Sequence, residues 1–139
     1  MKNSIRSIAL ICVITLIISC DKETPKLDPR KTILGKWELT HYGNGTNLTS
    51  NDTPIVYQEY LLDSVLRYYS YEKKRFINYE KYWFEDSLLI QSFETFDDIN
   101  NEIIVRKRPY LYEFKTADEL RLEFQFSAQI TSSIYTRID

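Results

Sequence analysis

The sequence predicts one all-β domain, a small antiparallel up-and-down barrel of about eight or nine strands, and three observations predict it. From Ile33 onward, short apolar–polar alternations are separated by polar turns at hairpin spacing. Aromatic residues are in excess, with eleven Tyr, seven Phe and two Trp against only three Gly. Such residues suit a pleated surface, and Tyr fills a core while leaving a hydroxyl at its rim. No stretch after Ile33 carries a convincing helical period, and 139 residues leave room for one domain.

Met1–Ser19 reads as a leader. Lys2 and Arg6 precede the apolar run Ile8–Ile18, which is too short to cross a bilayer core of about 30 Å as a helix. A charged start, a short apolar middle and the small Ser19 before a junction make a secretory signal peptide. The junction Ile17-Ile18-Ser19-Cys20 resembles the lipobox of bacterial lipoproteins. The resemblance implies cleavage before Cys20, a diacylglycerol on its thiol and anchoring in the bacterial envelope. The membrane face, periplasmic or cell-surface, stays open. Cys12 would leave with the leader and Cys20 would become a thioether, so no disulfide, redox motif or thiolate metal site is expected.

Residues 20–32 read as the lipidated cysteine and a tether. Asp21–Lys31 is charged and broken by Pro25 and Pro29, the composition of an extended spacer. Fully stretched it reaches about 35 Å. The domain then occupies 33–139. Ile33–Tyr42 is the first strand, with Gly35, Trp37, Leu39 and His41 on one face, and Gly43-Asn44-Gly45 ends it. Thr46–Pro54 reads as a polar loop.

Residues 54–72 have two readings. Thr53 and Pro54 make a good helix start, and Tyr57, Leu61, Val65 and Tyr68 would share a helical face. The Tyr-rich run Arg67–Tyr71 suits a pleated surface better, so two strands, Val56–Leu62 and Leu66–Glu72, are expected. Tyr79–Glu85 and Leu88–Thr95 form a hairpin, and Phe96–Asn101 a turn. Glu102–Lys107 is a strand expected to end before Arg108-Pro109. Tyr110, Tyr112 and Phe114 then alternate with polar partners, as do Leu120, Leu122, Phe124 and Phe126, and Ile130–Ile138 closes the chain.

Leu34-Gly35-Lys36-Trp37-Glu38-Leu39 resembles the Gly-X-Trp opening of lipocalin-like domains. Tyr79–Ile90 is similar to that family's central hairpin, Leu120–Glu123 to its penultimate strand and Tyr135–Ile138 to its ending. Together with the lipobox, the chain resembles the lipocalin-like lipoproteins of Bacteroidota-type bacteria. The resemblance implies that Gly35, Trp37 and Arg137 close one end of the barrel, the arginine packing across the tryptophan.

Net charge is −2, and loss of Lys2 and Arg6 makes the mature chain more acidic, which argues against a nucleic-acid binder. His41 is the only histidine, and no nucleophile–base set, phosphate loop or metal motif is present, so no catalytic residue, metal or cofactor is assigned. Asp97-Asp98 and Glu85-Asp86 fall at turns, and Arg106-Lys107-Arg108 reads as a solubilising cluster. Asp63-Ser64-Val65 and Asp86-Ser87-Leu88 resemble acceptor tripeptides for O-glycosylation in Bacteroidota envelope proteins and are equally good turns. The expected function is binding of a small hydrophobic or amphipathic molecule by a monomer, with Tyr68, Tyr71, Tyr82, Tyr110 and Tyr112 as lining residues. The alternative is a filled barrel that docks an envelope protein or glycan.

Overall fold

A computed structural model describes residues 26–139. Cys20 and the junction before it lie outside the described residues, as do the leader and the first part of the tether. The chain enters through a one-turn helix, α1 (Pro29–Thr32), where an extended tether was expected. Asp28 caps it by accepting from the Arg30 N–H at 3.1 Å, and Pro29 takes the first helical position. Ile33, directly after it, is fully buried. The apparent spacer thus ends as a plug on the barrel.

Nine strands follow: β1 (Gly35–Asn44), β2 (Asn47–Ser50), β3 (Val56–Tyr60), β4 (Val65–Ser70), β5 (Arg75–Glu85), β6 (Leu88–Asp97), β7 (Glu102–Thr116), β8 (Glu119–Phe126) and β9 (Gln129–Ile138). All pairings are antiparallel. β9 pairs back onto β1 and closes the ring, while β2 and β3 share one side of β1 end to end. The fold is an all-β barrel, as the alternation predicts. Residues 54–72 form two strands, paired Val56↔Ser70 through Tyr60↔Leu66.

Four local expectations are corrected. The loop 46–54 contains β2. β6 runs to Asp97, past the expected turn at Phe96. Arg108-Pro109 does not interrupt β7, which is continuous for 15 residues. Pro109 pairs with Ile90 on one side, whereas β8 pairing begins only at Leu111↔Glu123, so no partner on that side needs its missing N–H. A bulge between Leu39 and His41 shifts the pleat, so His41 pairs with Ile134 on the outer face and is exposed.

The core lies at one end. Ile33, Trp37, Tyr60, Leu66, Tyr82, Leu89, Leu120 and Leu122 form one buried cluster, with Phe84, Tyr112 and Phe114 packed against it. They come from the ends of strands that meet beneath α1, and the nine-stranded ring and this cluster are both built from residues 26–139.

The other end is split. β5 pairs with β6 only over Lys81–Glu85, and β7 meets β8 only from Leu111 onward. Phe93–Asp97 and Glu102–Arg106 therefore pair only with each other, as a two-stranded ribbon whose outer edges lack strand partners. A bulge helps open this gap: Tyr68 pairs with Asn78 and Tyr69 with Phe76, which leaves Ile77 unpaired and bends β5.

Candidate functional site

The pleat alternates along each strand, so the register decides which side chains face inward. At the closed end Trp37 donates from Nε1 to the Ile33 carbonyl at 2.7 Å, and the Arg137 guanidinium lies 4.5 Å from the Trp37 ring centroid. Arg137 also bonds the carbonyls of Thr32, Leu34 and Ala117. Gly35 sits at φ +114°, and a Cβ there would stand 2.7 Å from Arg137 Nη1. Gly35, Trp37 and Arg137 thus meet at one structural latch.

Halfway along the barrel the interior turns polar. Gln91 donates from Nε2 to the Tyr60 hydroxyl at 2.8 Å, which donates to Gln58 Oε1 at 3.1 Å. Gln58 Nε2 in turn donates to the Tyr135 hydroxyl at 3.3 Å. Beside this relay lies the buried Glu80, its side chain only 4% exposed, paired with Arg108 Nη2 at 2.7 and 2.8 Å. The Tyr68 hydroxyl donates to Glu80 Oε2 at 3.2 Å and Asn78 Nδ2 to Oε1 at 3.3 Å. Arg108 stacks 4.4 Å above the Phe93 ring.

The pair is unevenly satisfied. A carboxylate has about four acceptor sites, and Glu80 has four contacts. Arg108 uses only Nη2, and its Nε is buried with no hydrogen-bond partner. A buried donor left so costs about 1–3 kcal/mol. Burial pushes the hydroxyls here away from ionisation: desolvation raises Tyr60 and Tyr68 above the usual tyrosine value, Tyr68 further through the Glu80 charge, and takes Tyr135 to about 12. Tyr110, raised by the same desolvation, is held back by Arg108.

This belt opens sideways. Where β5 and β6 part, a cleft of about 560 Å³ is lined by Val65, Asn78, Glu80, Lys81, Phe93 and Val105, among others. A larger cleft of about 820 Å³ lies at the other end, where Lys26, Leu27 and Pro29 meet Tyr112–Ala117. Its charged pair, Lys115 and Glu113, faces solvent, so it offers no built polar site.

The five tyrosines expected to line one site do not converge. Tyr68 and Tyr110 reach the belt. Tyr82 belongs to the closed-end core and donates to the Leu61 carbonyl at 2.6 Å. Tyr112 packs against Phe84 and Phe114. Tyr71, three residues from Tyr68, is on the outer wall, where it bonds Glu38 and sits beside Tyr57 and Tyr69. An odd spacing in a strand puts two side chains on opposite faces. Glu80 and Arg108 were missed. Their signal is parity: Glu80 is in phase with Tyr82 and Phe84, and Arg108 with Tyr110, Tyr112 and Phe114. Arg106-Lys107-Arg108 is therefore no single patch, because Lys107 turns outward to lie 5.3 Å from the Trp83 ring.

The His41 ring makes a single hydrogen bond among the described residues, with the Thr40 hydroxyl. Ser64 and Ser87 both lie in turns. Among the described residues no group of three His, Cys, Asp or Glu side chains could hold a metal ion, and no helix is long and apolar enough to cross a membrane.

No family model and no curated protein matches the sequence. Among solved structures the chain is similar to an uncharacterized protein from Bacteroides eggerthii. The TM-score is 0.51 at 12% identity, over 76% of this chain and 99% of that one. The likeness is one of fold alone.

Proposed function

We propose that the chain is a lipid-anchored bacterial envelope protein whose barrel binds a small amphipathic molecule in its split half. The observation that carries the binding reading is Glu80, buried and paired with Arg108, at the wall of a 560 Å³ cleft. A barrel end built only for stability would be sealed with apolar side chains, as the Trp37 end is. The cleft instead combines apolar Val65, Phe93 and Val105 with a few fixed polar groups, the usual make-up of a small-molecule site. Native mass spectrometry of residues 26–139 purified from a bacterial host is expected to find a bound small molecule. Its loss on Phe93→Ala, with the fold intact, would locate it. A fragment that is always ligand-free and binds no amphipathic probe overturns the reading.

The anchor rests on Lys2 and Arg6, the apolar run and Ser19-Cys20. Cys20→Ala is expected to lower the intact mass by the lipid and release the protein from membranes. Unchanged mass and fractionation would refute it.

A second reading, docking of an envelope protein or glycan, rests on the outer face of the ribbon, where Phe96 and Ile103 are exposed on neighbouring strands. Crosslinking from this face in cells separates the two: a partner captured there and an empty cleft would favour docking.

A further inference from the structure

We infer that the cleft takes an anionic amphiphile, its oxyanion headgroup on Arg108 and its aliphatic tail along Phe93, Val65 and Val105. The inference rests on the ligand-binding reading above and adds the sign of the headgroup. It follows from counting valences. Glu80 carries the negative charge, yet its oxygens already accept from Arg108 Nη2, Tyr68 and Asn78 and have no acceptor capacity left for a cationic headgroup. Arg108 spends only Nη2 on that carboxylate. Its Nε is buried and unpartnered, and among the described residues Nη1 makes no hydrogen bond. The Tyr110 hydroxyl, two residues along on the same face of β7, is also without a partner among the described residues. One buried unpartnered donor, with two further donors left to solvent, beside a saturated acceptor selects a ligand that brings acceptors.

The guanidinium plane is held for this by the Phe93 ring 4.4 Å away, and Phe93 also lines the cleft, so headgroup and tail positions adjoin. Lys81 at the cleft wall adds a positive charge, and Glu94 opposes it near the ribbon. A second buried, unpartnered arginine nitrogen, Nε of Arg121, sits on the outer face beside Glu123 and a cleft of only about 210 Å³, with no apolar run for a tail. Carboxylate and phosphate monoester share the needed chemistry, and the test separates them.

Residues 26–139, which carry the nine-stranded ring and its buried cluster, would be titrated calorimetrically with four probes sharing one tail. These are octanoate, octyl phosphate, octanol and octyltrimethylammonium, with circular dichroism to check the fold. The expected result is that octanoate or octyl phosphate binds at least about tenfold more tightly than octanol, since charge-assisted hydrogen bonds are roughly twice as strong as neutral ones. The tighter of the two anions identifies the headgroup. Arg108→Gln should erase the preference. Glu80→Gln, which removes the competing charge, should tighten anion binding by about threefold or more, and it carries the test if Arg108→Gln does not fold. Equal binding of octanol, tighter binding of the ammonium probe, or a preference that survives Arg108→Gln overturns the inference while leaving ligand binding standing. Failure of all four probes overturns both.

Discussion

The half of the barrel around Trp37 and the half around Glu80 are made by the same strands, yet they solve opposite problems. At the Trp37 end, eight buried residues, a helical plug and an arginine latch leave no polar group of the tryptophan unmet. At the Glu80 end the wall parts after Lys81↔Ser92, and the interior holds a carboxylate, a guanidinium and a relay of hydroxyls and amides. The first arrangement is what burial alone favours. The second places polar groups where only partners or ligands can satisfy them, so it bears the cost of specificity. The difference teaches that stability and recognition are divided lengthwise along this barrel.

That division can be broken from either side. Trp37→Ala should cost about 3–5 kcal/mol, read by urea unfolding of residues 26–139, because it empties the centre of the closed-end core. Glu80→Ala should cost less, about 2–3 kcal/mol, since Arg108 is partly solvated and keeps some hydration. Replacing both partners, Glu80→Leu with Arg108→Met, should recover most of that loss while abolishing ligand binding; a double variant as unstable as Glu80→Ala would show that the pair is structural after all.

Gly35→Ala should destabilise by about 1–2 kcal/mol, through its positive φ and the displaced Arg137. The ligand affinity of the split half should be untouched. A change in affinity would mean that the two halves are coupled.

In alkali the halves should respond together. Tyr82 and Tyr135 are each pushed up to about 12, desolvation being the largest cause. The unfolded chain loses these protons near pH 10 while the folded chain keeps them, so their contribution is complete below pH 10 and is lost as pH rises toward 12. Tyr135→Phe should flatten the fall in stability between pH 10 and 12, measured by urea titration at stepped pH. The smallest effect is expected on the ribbon: Phe96→Ser with Ile103→Thr should shift stability by within about 0.5 kcal/mol, as these side chains are exposed. A larger loss would place the ribbon in the folding core.

Strand phase was the most legible property. Leu120–Phe126 alternates strictly in the sequence, and β8 buries Leu120 and Leu122 as that alternation requires. The phase broke where a bulge intervened, at Leu39/His41, because an inserted residue exchanges the faces without any change in composition. Arg108-Pro109 misled for a related reason: proline forbids a ladder bond only if a partner stands there, and whether β8 does is a tertiary matter. Of the candidate site, Tyr68 and Tyr110 were within reach of sequence reasoning, whereas Glu80 carried no signal beyond its phase with Tyr82 and Phe84.

The sequence by itself determined the class of fold and the number of strands within one, since alternation and local turn chemistry are written in neighbouring residues, whereas the meeting of Gly35, Trp37 and Arg137 was implied only by the family resemblance. Only the tertiary structure decided which strands stop pairing, which of the tyrosines face inward, and that Glu80 meets Arg108 across a gap of 28 positions. Those outcomes depend on register and curvature. They arise from the closure of the whole ring, and no short stretch of chain encodes them.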